Sequence, residues 1–392
     1  MKCIVLISIE KDKMDTYLQS WKQKKKHEVN ILHGPYIMFQ SIEQAHSFVV
    51  IETDQTSKAV HFCKSLKGTS KIVLNLMLDV KEALEELEKF NTNKNQAEKD
   101  YKNTKIDKIL NIGATSKLEI LPLIDWHTDN KDLKVETGVS YLIKTDDTTI
   151  LFDVGLNSEQ EDPSPLISNM QKLGVSLDEI DIIFLTHNHA DHVGGSKWFK
   201  EKTFSLTGRQ FNLGNKKVYT PVTMTYPGLN PVHLPDPIIL GSGVASTGTI
   251  PNSQFIYGIT EEMGLAVNVE GKGIVLIIGC GHQTLPRILE RSAALFDIPL
   301  YGILGGLHYP VLGGPIEIFG FSPHMHWGTG KAPWDPISVD ELSDNIELLK
   351  KYKLKLVALS PHDSSELSIQ AFRDAFPDAF REIRVGKKII IQ

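Results

Sequence analysis

Apolar and polar residues alternate along this chain in two regimes. From the start to residue 90, short apolar runs trade places with amphipathic stretches. Cys3–Ile9, Tyr36–Phe39, Ser47–Ile51 and Lys71–Val80 have the length and β-branched content of strands. Lys11–Lys26 places Met14, Leu18 and Trp21 on one helical face, and Thr56–Leu66 and Lys81–Phe90 also read as helices. The order β-α-β-β-α-β predicts a small ferredoxin-like α+β domain over 1–90. Residues 91–108 (NTNKNQAEKDYKNTKIDK) are polar and almost free of apolar positions, the composition of a linker. A second domain is expected over 109–392. Its predicted strands are Lys117–Ile124, Val139–Lys144, Thr149–Phe152, Asp181–Leu185, Gly264–Val269, Gly273–Ile278, Leu300–Leu304, Lys355–Leu359 and Lys387–Ile391. Pro165–Leu173, stopped by Gly174, reads as a helix, as do Leu285–Phe296, a stretch from the capping box Ser338–Glu341 to Lys351, and Glu366–Phe376. Residues 196–260 are rich in Gly, Pro and Thr and resist assignment. Two β-rich halves with interspersed helices suit a sandwich of sheets with helices outside, an α/β (α+β) class.

Composition narrows the partners. The chain has 392 residues, enough for two domains, with an ordinary 41% hydrophobic and 23% charged content. A net charge of −6 disfavours nucleic acid, which needs a basic surface. No apolar stretch is long enough to span a bilayer. Cys3, Cys63 and Cys280 are far apart and form no CxxC, so a reducing, cytoplasmic setting is the expectation. Residues 1–90 gather no catalytic cluster; docking or homodimerisation is the expected use, with a small-molecule substrate for the second domain.

The chemistry concentrates in His187-Asn188-His189-Ala190-Asp191-His192, directly after the apolar run Asp181–Leu185 and before Gly194-Gly195. His187 and His189, two apart, can share one ion on the same side of an extended segment, while Asp191 and His192 face a neighbouring position. Imidazoles with a carboxylate suit zinc, and also iron or manganese. This run resembles the signature of the metallo-β-lactamase superfamily, over about residues 107–392. The resemblance implies an αββα sandwich with a one- or two-metal site at the strand ends.

Further ligands must come from distant strand ends. His282, His308 and His362 each follow an apolar strand. The superfamily's last histidine ligand ends a strand preceded by a helix, which points to His362. Its metal-bridging aspartate usually stands in Gly-Asp; here the strand ends in Gly279-Cys280, so Cys280 is either a thiolate ligand or a small buried residue. The superfamily's mid-chain histidine has no counterpart here in its usual Pro-Gly-His setting, and His282 is expected to replace it as a ligand, with His308 beside the ligands or facing substrate. His233 sits in a proline-flanked loop context, and His324 and His326 follow no strand, so none of the three is expected in the site. Asp153, in Leu-Phe-Asp-Val-Gly, matches the strand-end aspartate that orients the histidines by hydrogen bonds.

A metal with an open position makes a hydroxide at neutral pH and polarises a substrate oxygen, with Asp191 placed to take a proton. Asp191, His308 and Asp153 are therefore the candidate catalytic residues. Gly138–Lys144, Ile150–Gly155, Leu173–Asp181, Ser246–Pro251, Gly279–His282, Gly305–His308 and Pro361-His362 resemble the 7,8-dihydropterin-6-methyl-4-(β-D-ribofuranosyl)-aminobenzene-5′-phosphate synthase group. That resemblance implies a pterin or phosphorylated small molecule as substrate. The chain departs from the group at Gly281 and at Asp363-Ser364-Ser365. The aromatic loop residues Tyr309, Phe319, Phe321, Trp327 and Trp334 are candidates for stacking on a flat ring. A general hydrolase of lactone, ester, β-lactam or phosphodiester bonds is the alternative, and an inactive metal-binding sensor the non-enzymatic one.

Overall fold

The computed structural model describes segments 3–10, 46–53 and 71–75, then residues 80–392 apart from 256, 317–321, 326–327 and 332–335. In the N-terminal part Cys3–Glu10 lies between His46–Thr53 and Lys71–Asn75, antiparallel to both. That order and direction are those a ferredoxin-like sheet requires of its first, third and fourth strands. The expected helices at 11–26 and 56–66 and the strand at 36–39 lie outside the described residues.

The expected linker is corrected. One helix, Val80–Asn103, runs straight through residues 91–103. The stretch holds no Gly or Pro, and its Lys, Glu, Gln and Ala are good helix formers. Its few apolar positions fall on one face: Phe90 and Ala97 are buried. Phe90 packs edge-on against Phe255 at 6.3 Å, and its carbonyl accepts from Ser253 Oγ. Glu98 pairs with Arg287, whose guanidinium lies 4.5 Å from the Tyr101 ring. Two buried apolar residues are too sparse for composition to reveal, yet with these polar contacts they dock the helix on the second unit.

Two sheets form that unit. The seven-stranded sheet runs Ile389–Ile391, Leu118–Ile124, Ser140–Lys144, Thr149–Phe152, Ile182–Phe184, Lys217–Thr220, Val232–His233. The six-stranded sheet runs Ile238–Gly241, Val244–Gln254, Gly258–Val269, Gly273–Ile278, Leu300–Gly305, Leu356–Leu359, its last two pairings parallel. The unassigned stretch 196–260 thus supplies two strands to one sheet and two to the other, and the strand expected at 264–269 begins earlier, at Gly258.

Period-two alternation sorts side chains between layers. Val275 and Ile277 point inward to meet Ile143, Phe152 and Phe184, while Leu276 and Ile278 point outward under the helices. All four are fully buried. Each such side chain contributes roughly 1.5–3 kcal/mol, and burial on both faces explains the near-continuous apolar run. Helices Leu285–Leu295, Val339–Lys350 and Glu366–Ala375 cover one sheet; Pro165–Leu173 and Ser196–Glu201 cover the other. The layers are αββα, as expected.

Candidate metal centre

The floor of the site follows strand Ile182–Phe184. Leu185 still bonds to Tyr219, and then the chain leaves the sheet at Thr186. It turns back at Gly194 and Gly195, with φ of 90° and 123°. A Cβ at Gly194 would lie 2.1 Å from the Ser205 carbonyl oxygen, so no other residue fits there. Asp153, fully buried at the end of Thr149–Phe152, holds this turn from beneath. One carboxylate oxygen accepts the Thr186 N–H at 2.7 Å; the other accepts Thr186 Oγ1 at 2.8 Å and meets His192 Nδ1 at 2.7 Å. Asp153 thus bonds both to the start of the turn and to His192, and it is not among the residues lining the pocket.

Two groups of ligand-type atoms stand on this floor. His187, His189 and His282 form one; Asp191, His192, Cys280 and His362 form the other, and within each group the atoms lie within 4.8 Å of one another. Cys280 Sγ is 3.1 Å from both His192 Nε2 and His362 Nε2. A further grouping joins Cys280 and His282 to His308, whose ring centroid is 4.8 Å from that of His282. All seven sequence-predicted metal ligands thus converge, with His308 beside them.

The donor set fits cations. Nε2 of His187 and of His282 is buried and has no hydrogen-bond partner among the described residues, the state in which a ring nitrogen is open to a cation. Their other nitrogens are engaged: His187 Nδ1 lies 3.0 Å from Thr186 Oγ1 and His282 Nδ1 lies 2.7 Å from the Gly328 carbonyl. His189 has Nε2 at Thr260 Oγ1, 3.1 Å away, leaving Nδ1. Burial drives the His187, His282 and His362 rings well below their ordinary range and His189 to about 4, so their lone pairs are free at neutral pH. Burial alone would raise Asp191, but His192 and His189 hold it well below the usual carboxylate range. His192 differs: burial lowers it, yet Cys280, Asp191 and Asp153 together keep it well above. Burial pushes the Cys280 thiol up, the direction a bound cation reverses.

Residues 133–207 match the family model of the Metallo-beta-lactamase superfamily. That match takes in the 187–192 cluster and the turn that follows it. A curated relative, the 7,8-dihydropterin-6-methyl-4-(beta-D-ribofuranosyl)-aminobenzene-5'-phosphate synthase of Methanocaldococcus jannaschii, is 27% identical over 244 residues, covering 51% of this chain and 80% of its own length. Among solved structures, a metal-dependent hydrolase of the beta-lactamase superfamily aligns with a TM-score of 0.47 at 19% identity, over 69% of this chain and 98% of that one. The metallo-beta-lactamase fold protein YhfI of Bacillus subtilis aligns with a TM-score of 0.43 at 12% identity, over 70% of this chain and 100% of its own.

The site also carries supports that the sequence did not betray. Glu262, fully buried on Gly258–Val269, accepts the N–H groups of Cys280 and Gly281 at 2.9 Å each and of His282 at 2.7 Å. Burial raises this carboxyl to about 7 even though the three amides pull it down. Asp125 accepts Ser360 Oγ at 2.7 Å and Tyr141 Oη at 2.6 Å, and Ser360 Oγ lies 2.6 Å from His362 Nδ1. Burial raises Asp125 to about 6. Asn252 donates to the His282 carbonyl at 2.6 Å. The only hint in the sequence was an acid set in an apolar strand, which reads equally as an edge.

The candidate ligands open on a pocket of about 270 Å³, walled also by Thr137, Leu156, Tyr257, Ile316 and His324. Tyr257, its ring 4.5 Å from that of His189, is the wall aromatic that sequence reasoning missed. Tyr309, expected to be able to stack on substrate, instead packs in the core against Phe372 at 5.5 Å, because its strand-end backbone turns it under helix Glu366–Ala375. Phe319, Phe321, Trp327, Trp334 and His326 lie outside the described residues. His324, not expected in the site, stands on the pocket wall. His233 stays outside it, paired at long range with Glu261. No Lys or Arg is among the described wall residues.

Proposed function

We propose that this domain is a metal-dependent enzyme holding two divalent cations, most simply zinc, one at His187, His189 and His282 and one at Asp191, His192, Cys280 and His362. The observation that supports this best is two adjacent donor groups, linked through Cys280 of one and His282 of the other and open on one side to a pocket. Cations bound there would polarise a substrate oxygen and activate water. The chain's own part is then to orient and to move protons. Asp191, ionised and on the pocket wall, is placed to accept a proton from the attacking nucleophile. His308 faces the same space with its backbone N–H fixed on Asp363, 3.0 Å away, and is assigned the leaving-group side. Leu156, Ile316 and Tyr257 offer a small, largely apolar enclosure without a cationic side chain among its described residues. That favours a compact cyclic substrate whose single anionic or electrophilic group meets the cations. A pterin, as in the name of the Methanocaldococcus jannaschii relative, has such a body. General ester or lactone hydrolysis is the second reading, favoured by the same apolar wall.

Elemental analysis of protein purified without added metal tests the site. The expected result is two ions per chain, reduced to one by His187→Ala and by His362→Ala, each with loss of turnover. A metal-free wild type overturns the reading in favour of an inactive sensor, and full retention by His362→Ala moves the last ligand to His308. Chromogenic substrates assayed with zinc, with and without a pterin or amine co-substrate, separate hydrolysis from transfer.

A further inference from the structure

The imidazole of His282 is held by a part of the chain far from its own strand. Its backbone is fixed on both sides by the six-stranded sheet: Glu262 takes the N–H and Asn252 donates to the carbonyl. The ring is held by neither. Its Nδ1 meets the carbonyl oxygen of Gly328 at 2.7 Å, 46 residues on, while its buried Nε2 has no partner among the described residues. Gly328 sits flat against the site. A Cβ there would lie 2.6 Å from Cε1 and Nε2 of His308 and 3.0 Å from Cε1 of His282, and φ is +89°, a conformation side chains resist. Gly328 also forms part of two walls at once, that of the metal pocket and that of a neighbouring cavity of about 380 Å³ lined by Thr284, Lys331, Glu341 and Asn345. Close by, Lys331 ties the same segment to helix Val339–Lys350 through both oxygens of Glu341, at 2.6 and 2.7 Å.

We propose that Gly328 is a positioning residue: its carbonyl fixes the tautomer and direction of the His282 ring, so that occupancy of the three-histidine group depends on the placement of the segment around 328. A ligand imidazole nearly always donates its second N–H to such an acceptor, and loss of the acceptor weakens metal binding by about 10–100-fold. Glycine is required because the peptide must approach both His282 and His308 within van der Waals range. The inference rests on the two-cation reading above, but it predicts something that reading does not: selective loss of one ion by a change at a residue that is not a ligand.

Cobalt(II) is the probe, in full-length protein, with equilibrium dialysis for stoichiometry and affinity and the thiolate-to-cobalt absorption for the group containing Cys280. Wild type is expected to take two ions. Gly328→Ala should bind one at unchanged affinity with the thiolate absorption intact, and the other about 10–100-fold more weakly. Lys331→Met, which loosens the same segment without touching the site, should weaken the same ion by a smaller factor. Two ions at wild-type affinity in Gly328→Ala overturn the proposal, as does loss of the thiolate absorption in folded protein, since the effect would not then be confined to His282. If Gly328→Ala does not fold, unchanged binding by Lys331→Met overturns it alone. A wild type that takes no cobalt sinks the two-cation reading itself.

Discussion

Glu262→Gln is the substitution whose cost follows most directly from the geometry. Glu262 is buried and serves three backbone donors: Oε1 accepts from Cys280 and Gly281 at 2.9 Å each, and Oε2 accepts from His282 at 2.7 Å. Glutamine preserves the shape. Its carbonyl oxygen can keep the first two bonds, but its amide group then points N–H at the N–H of His282. One hydrogen bond to a carboxylate disappears, worth about 1.5–3 kcal/mol, and a buried donor is left without a partner, costing about 1–3 kcal/mol. These overlap, so the net is roughly 2–4 kcal/mol. The opposite amide orientation is worse, because it strands two donors. The loop at stake carries one ligand of each group, Cys280 and His282. If about 2 kcal/mol of the cost is borne by ligand placement, cobalt affinity falls roughly 30-fold. Urea unfolding of metal-free Glu262→Gln, beside cobalt dialysis of the same protein, measures both. A variant within about 0.5 kcal/mol of wild type and with unchanged cobalt affinity would refute the claim that this carboxylate holds the ligand loop.

Three further outcomes are expected. Asp153→Asn keeps an acceptor for Thr186 but turns an amide toward His192 Nδ1, so cobalt binding at the Cys280 group should weaken about 10–100-fold by dialysis; an unchanged isotherm removes Asp153 from its orienting role. Cys280→Ser should abolish the thiolate-to-cobalt absorption and lower bound metal from two ions toward one; full metal content would leave Cys280 a buried small residue and no ligand. Phe90→Ala opens a cavity against Phe255 and should destabilise the full chain by about 3–5 kcal/mol in urea; a loss under about 1 kcal/mol would mean that helix Val80–Asn103 adds little to the domain it touches.

The parts of the site that the sequence exposed share one property: each is a local pattern at the end of an apolar strand. His187 to His192 sit within six residues, and Asp153, His282, His308 and His362 each follow a run whose burial is legible from composition. The same periodicity placed most strands of both sheets, because a strand covered on both faces must be apolar throughout. Helix formation over 91–103 escaped, since Phe90 and Ala97 alone mark its buried face and the polar majority reads as solvent-exposed whether helical or not. Of the four supports, Asp153 alone was legible, and the other three escaped for a stronger reason. Asp153 lies beneath the 187–192 turn, Glu262 beneath Cys280–His282, Asp125 through Ser360 beneath His362, and Asp363 beside His308. Every ligand-bearing loop thus rests on one buried carboxylate, and burial raises all four above their ordinary range. Asp125 and Ser360 are 235 positions apart in the chain, so no spacing rule links them. Only the folded sandwich brings these buried carboxyl groups beneath the imidazoles, each joined by hydrogen bonds to the loop above it.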